Sequence, residues 1–190
     1  MPKPNVADLL RRIAGALKPL HLRWYVFGAQ AVIAAGATRS TADIDITVED
    51  IEPGRLLRAL NKAGFALRDD VEDIESVVDS LRVLPLAHSS GFQVDVVRAG
   101  PGLEMLMLER AITRRIGRTA VPFVETNDLV VLKILASRPK DLEDVRALLR
   151  LDLDELDLTV VRARLRELGK LLDDSTLVRS FELEAKNAKR

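Results

Sequence analysis

Three carboxylates stand out for the residues around them. Asp43 and Asp45 alternate with Ile44 and Ile46 in the run Ala42 to Val48, and Asp95 sits between Val94 and Val96. On a strand, side chains two apart project from the same face, so Asp43 and Asp45 lie side by side with the apolar residues behind them. Like charges at that spacing are costly unless a cation lies between them. Ligands that offer only oxygen suit Mg²⁺, which keeps waters and also binds phosphates. A third acid on a second strand extends this to a two-metal arrangement, which activates an attacking oxygen and stabilises a leaving phosphate. Taken alone, Asp43 and Asp45 fit a solvated strand face equally well.

A second feature lies just upstream. The run Arg23-Trp24-Tyr25-Val26-Phe27 ends at Gly28, and the alanine-rich stretch from Gly28 to Ala35 reads as a helix starting at once. Glycine lets a ligand approach the backbone closely, and the free N–H groups of a helix start favour a phosphate. One glycine by itself is more simply a strand–helix turn. Between these features lie Arg39, within reach of a phosphate or exposed in a loop, and Thr41, a phosphate ligand or a cap of the turn before the strand. Further on, Lys133 interrupts an apolar helical run, either snorkelling or turned into a cleft. Asp141 and Asp144 share a helix face, with Asp141 read as the N-cap after Pro139 and Asp144 as a partner for Lys133 or Arg138.

The elements that position these residues follow from periodicity. Helical spacing covers Val6 to Leu20, and Pro53 to Ala63 reads as a helix bounded by Pro53 and Gly64. Phe65 to Leu67 is a short strand, and the pattern over 69–78 selects no element. Leu81 to Ala87 and Phe92 to Val97 form a hairpin, Leu103 to Arg110 a helix, and Ile112 to Ile116 with Thr119 to Val124 a second hairpin. From Asn127 onward only helical spacing remains. A two-layer α+β core over 1–126 with a helical subdomain over 127–190 fits this order.

The 190 residues hold 29 basic and 29 acidic side chains, a net charge of zero, and 47% apolar residues. That supports a packed core and argues against a chain that coats nucleic acid. No apolar run reaches a membrane span, and the first residues have no signal-peptide pattern, so a cytoplasmic protein with no membrane partner is expected. No cysteine and only His21 and His88 leave no thiolate site and little room for a histidine one. The histidines, Met105 and Met107 read as structural. The acidic run Leu151 to Leu158 reads as a solvated helix start. The cluster Arg110, Arg114, Arg115 and Arg118 reads as either a salt-bridged surface or an RNA contact.

The combination is more specific than its parts. Val26-Phe27-Gly28-Ala29, then thirteen residues, then Asp43-Ile44-Asp45-Ile46, with Asp95 following on a strand, resembles the signature of the DNA polymerase β-like nucleotidyltransferase superfamily. The stretch from Gly28 to Asp50 resembles minimal bacterial nucleotidyltransferases, and Asp128 to Val145 resembles the helical region of AbiEii-type toxin nucleotidyltransferases. The resemblance implies a mixed sheet with flanking helices plus a C-terminal helical subdomain. It implies transfer of NMP from an NTP, ATP or CTP, to an acceptor hydroxyl with release of pyrophosphate. Asp43, Asp45 and Asp95 would be the catalytic acids and hold Mg²⁺. Gly28 and Ala29 amides would cradle phosphates, with Arg39, Thr41 and Lys133 as further nucleotide contacts. Where the signature has Ser or Gly, Ala29 offers only its backbone N–H. The toxin branch implies a tRNA acceptor and an antitoxin partner. A small-molecule or protein acceptor, and a catalytically degenerate nucleotide-binding module, are the competing expectations.

Overall fold

The computed structural model describes residues 4–68 and 82–189. The stretch 69–78, for which the sequence selects no element, lies outside the described residues. In chain order the elements are α1 (Val6–Leu17), β1 (Trp24–Phe27), α2 (Gly28–Ala34), β2 (Asp43–Val48), α3 (Pro53–Lys62), β3 (Phe65–Leu67), β4 (Val83–His88), β5 (Gln93–Arg98), α4 (Leu103–Arg110), β6 (Ile112–Ile116), β7 (Thr119–Phe123), α5 (Thr126–Ala136), α6 (Pro139–Arg150), α7 (Leu158–Leu172) and α8 (Leu177–Ala188). A 3₁₀ turn over Lys18–Leu20 takes up the end of the first helical run, where Pro19 removes a backbone donor.

Among the described residues seven strands form one mixed sheet in the order β3-β4-β5-β2-β1-β7-β6. Strand β2 runs antiparallel to β1 and parallel to β5, while β1 runs parallel to β7. The pairs β4–β5 and β6–β7 are antiparallel, as the hairpin patterns predict.

The chain divides into two compact units, Met1–Gln30 with Ser40–Val124, and Ala31–Arg39 with Glu125–Arg190. The helical unit therefore takes in residues 31–39, which the sequence reading places in the core. That stretch carries the buried Ala31, Val32, Ala35 and Ala37.

In the first unit, Ile44, Ile46, Val94 and Val96 are fully buried on the sheet, as are Leu9, Ile13, Leu56 and Leu60 on α1 and α3. Helix α1 starts at a capping box in which the Asp8 N–H donates to Asn5 Oδ1 at 3.0 Å. Helix α3 starts at Glu52, whose carboxylate accepts from the Gly54 and Arg55 amides at 2.8 and 2.7 Å, with Pro53 at the first helical position. His88 is buried with its ring 5.4 Å from Phe65, and burial together with the Arg12 charge pushes its pKa below the usual imidazole value.

In the second unit, Val130, Val145, Leu148, Val161, Leu165 and Phe181 are fully buried. The acidic run serves this unit's own architecture. Asp157 caps α7 by accepting from the Thr159 N–H at 2.7 Å, and Glu155 accepts from the Thr126 hydroxyl at 2.7 Å. Arg164 on α7 donates to the fully buried Asp128 at 2.8 Å. Among the described residues no helix is long and apolar enough to cross a membrane.

Candidate active site

Alternation along β2 buries Ile44 and Ile46 and leaves Asp43 exposed and Asp45 partly so. The parallel register with β5 sets Asp45 opposite Asp95 and Asp43 opposite Gln93. Paired residues on neighbouring strands face the same side, so three carboxylates share one face of the sheet. Strand β1 flanks β2 on its other side, with Phe27 opposite Asp45, so the chain turns into α2 beside that carboxylate.

Gly28 makes this approach possible. Its φ is +64°, and a Cβ there would lie 2.0 Å from Asp45 Oδ2. A side chain is thus excluded by backbone conformation and by space. The neighbouring Gln30, which the sequence reading passed over, is buried and donates its side-chain N–H to the Asp43 carbonyl oxygen at 3.2 Å. It ties the first turn of α2 to the start of β2. A lone amide in an otherwise apolar Gly-Ala-Gln-Ala-Val stretch is the signal that marks it. Ala29 is buried in the same turn. Thr41 caps the turn into β2, its hydroxyl accepting from the Asp43 N–H at 3.1 Å.

Arg68 is a second residue the sequence did not reveal. It follows β3, and its backbone N–H donates to the Pro85 carbonyl, Pro85 being the residue opposite Asp95 on β4. From there its guanidinium donates to Asp95 Oδ1 at 2.8 Å and to Gln93 Oε1 at 2.7 Å. Its Nε is buried without a hydrogen-bond partner. Only the β3–β4–β5 register brings residue 68 to residue 95, so spacing along the chain contains no trace of the pair.

The donor chemistry fits Mg²⁺, since three carboxylates and no sulfur or imidazole form a hard oxygen set. The side chains are not drawn together around a common point. Among the described residues no group of three or more His, Cys, Asp or Glu is gathered closely enough to hold a metal ion. Asp95 is turned to Arg68, which neutralises it, as repulsion between adjacent unneutralised carboxylates requires.

Arg39, Lys133, Asp141 and Asp144 meet in the helical unit. Lys133 is buried, with its amine 2.7 Å from Asp141 Oδ1 and 2.8 Å from Asp144 Oδ2. Arg39 pairs with the other oxygen of Asp144. The pairing of Asp144 with Lys133 follows the sequence reading, whereas the capping role for Asp141 is corrected. Arg138 is the N-cap and Pro139 begins the helix, so Asp141 falls inside the first turn and accepts from Arg138 at 2.5 Å as well as from Lys133. Burial pushes the Asp141 pKa up, but the bonds from Arg138 and Lys133 outweigh it and hold the carboxyl below its ordinary value. A depressed carboxylate stabilises the fold above its unfolded pKa and loses that contribution as pH falls through the folded one. The melting temperature is therefore expected to fall more steeply below about pH 4 in the wild type than in Asp141→Asn. Parallel acid limbs in calorimetry would contradict this.

The mixed sheet with its flanking helices has a nucleotidyltransferase-like fold. The chain belongs to the family described as nucleotidyltransferase of unknown function (DUF6036), whose model matches residues 9–187, and it is a nucleotidyltransferase. The structure is similar to the solution structure of the antibiotic-resistance factor ANT(2'')-Ia, with a TM-score of 0.60, 17% identity, and coverage of 88% of this chain and 94% of that one. It is similar to an antigenic nucleotidyltransferase-like protein from Paracoccidioides brasiliensis, with a TM-score of 0.52, 17% identity and coverage of 92% and 94%. It is also similar to the lincosamide antibiotic adenylyltransferase LnuA in its lincomycin-bound form, with a TM-score of 0.51, 13% identity and coverage of 77% and 98%. No curated protein sequence matches the chain.

Proposed function

We propose that the protein moves a nucleoside monophosphate from ATP or CTP to an acceptor hydroxyl, with Mg²⁺ held by Asp43, Asp45 and Asp95 and pyrophosphate as the leaving group. The observation that carries this reading is the placement of the Asp45 carboxylate directly against Gly28, with Asp95 in register beside it. In this reading the Gly28 and Ala29 amides meet the phosphates, aided by the Thr41 hydroxyl. Bound metal supplies charge neutralisation of the triphosphate and of the attacking oxygen. Arg39 and Lys133, both engaged with Asp144, serve by ordering the helical unit rather than as direct phosphate ligands.

For the acceptor, the proposal is a tRNA or other RNA hydroxyl. Exposed Arg115 and Arg118 on the β6–β7 hairpin support it. So does the resemblance of Asp128 to Val145 to AbiEii-type toxins, on which an antitoxin partner also rests. A small-molecule or protein acceptor is the competing outcome.

In calorimetry, wild type is expected to bind NTP only with Mg²⁺, and Asp43→Ala/Asp45→Ala to bind at least about tenfold more weakly, the equivalent of about 1.4 kcal/mol. Asp95→Asn is expected to bind nucleotide and lose turnover. Unchanged binding in the double variant would remove the site assignment. Labelled ATP and CTP, offered with tRNA or a cell extract, should place label in RNA. Label in small molecules or protein would move the acceptor, and nucleotide binding with no label transferred anywhere would make the chain a binding module.

A further inference from the structure

Arg68 is bonded to one of the three acids, Asp95, and its geometry is specific. It reaches across β4 to bond Asp95 and Gln93 together, at 2.8 and 2.7 Å, while its backbone is pinned to Pro85. Asp95 is thereby committed to a guanidinium on the face it shares with Asp45. The arrangement is also incomplete, because Arg68 Nε is buried with no acceptor. A guanidinium with one N–H orphaned gains by moving to a partner that offers more oxygens, and a phosphate offers several in a fork that arginine matches.

We propose that Arg68 is a resident counter-ion that occupies Asp95 when no nucleotide is bound and passes to the triphosphate when one arrives, releasing Asp95 to the metal. The inference rests on the metal-and-NTP reading of the site given above. Arg68 and a divalent cation compete for one carboxylate, so each weakens the other. The triphosphate offers Arg68 a second anion and so lifts the competition. Metal and nucleotide then bind with positive coupling, which is reciprocal. Arg68 thus acts on the metal through Asp95 and on the triphosphate directly.

The test is Mn²⁺ binding, read by calorimetry or by the loss of the free-ion spin-resonance signal. Without nucleotide, Arg68→Ala is expected to bind Mn²⁺ about tenfold more tightly than wild type, and Arg68→Lys to lie between them. With α,β-methylene ATP or CTP present, the advantage of Arg68→Ala should shrink or reverse. In an Asp95→Asn background the substitution should no longer change Mn²⁺ affinity. Circular dichroism of each variant establishes that it is folded, and Arg68→Lys retains the charge should the alanine variant fail to fold. Equal or weaker Mn²⁺ binding by folded Arg68→Ala and Arg68→Lys overturns the counter-ion role. If wild type binds Mn²⁺ and Asp43→Ala/Asp45→Ala does not, that result leaves the metal site standing. Absence of Mn²⁺ binding in wild type and Arg68→Ala alike, with and without nucleotide, overturns both.

Discussion

Gly28→Ala is expected to lose nucleotide binding and to lower stability by about 1–2 kcal/mol from its left-handed backbone alone. The glycine has φ +64°, and an added Cβ would lie 2.0 Å from Asp45 Oδ2 and 2.8 Å from its Cγ. The methyl group and the carboxylate cannot both stay, so Asp45 must move away from the turn where the phosphate amides and the acid pair meet. Gly117→Ala is the control. Gly117 has φ +59° in the β6–β7 turn, yet the nearest atom to its Cβ would be 4.0 Å away. The two substitutions share the backbone penalty and differ in the carboxylate. Denaturant titrations should show the backbone loss in both and a larger total loss in Gly28→Ala, while only Gly28→Ala should lose Mg²⁺-dependent NTP binding. Wild-type affinity in Gly28→Ala would show that the position of Asp45 does not matter to the site.

Lys133→Ala is expected to be among the most destabilising single changes, by about 3 kcal/mol or more, because it strips a charge from two buried carboxylates. Asp141 and Asp144 lie 2.7 and 2.8 Å from its amine, with side chains only 2% and 5% exposed. Arg138 and Arg39 remain to pair with them, which limits the loss without removing it. For a chain of this length the melting temperature should fall by about 6–12 °C. The same experiment distinguishes the packing role from a substrate role. A variant with unchanged melting temperature and a raised KM for nucleotide would place the amine on the triphosphate instead.

The elements that carry these residues were legible wherever a local rule applies. Alternation exposed Asp43 and Asp45 on one face of β2, and the strand–glycine–alanine pattern located the start of α2. These follow from the two-residue repeat of a strand and from the freedom of glycine, which are properties of a few adjacent residues. Asp141 escaped a local rule for a local reason. Pro139 is favoured at the first helical position, which shifts the cap to Arg138 and turns the acid inward.

By itself, then, the sequence determined which acids could act together, and on what kind of element. That Asp45 stands beside Asp95 was decided by the parallel pairing of β2 with β5, strands that are far from adjacent along the chain, with α3, β3 and β4 among the described elements between them. That Arg68 closes on Asp95 was decided by the β3–β4–β5 register, and that Asp45 fills the space above Gly28 by the β1–β2 pairing. The sequence likewise could not show that residues 31–39 join the helical unit. The physical reason is common to all of these. Hydrogen-bonded register and side-chain packing between distant segments are chosen by the whole sheet and core at once, and no window of neighbouring residues encodes them.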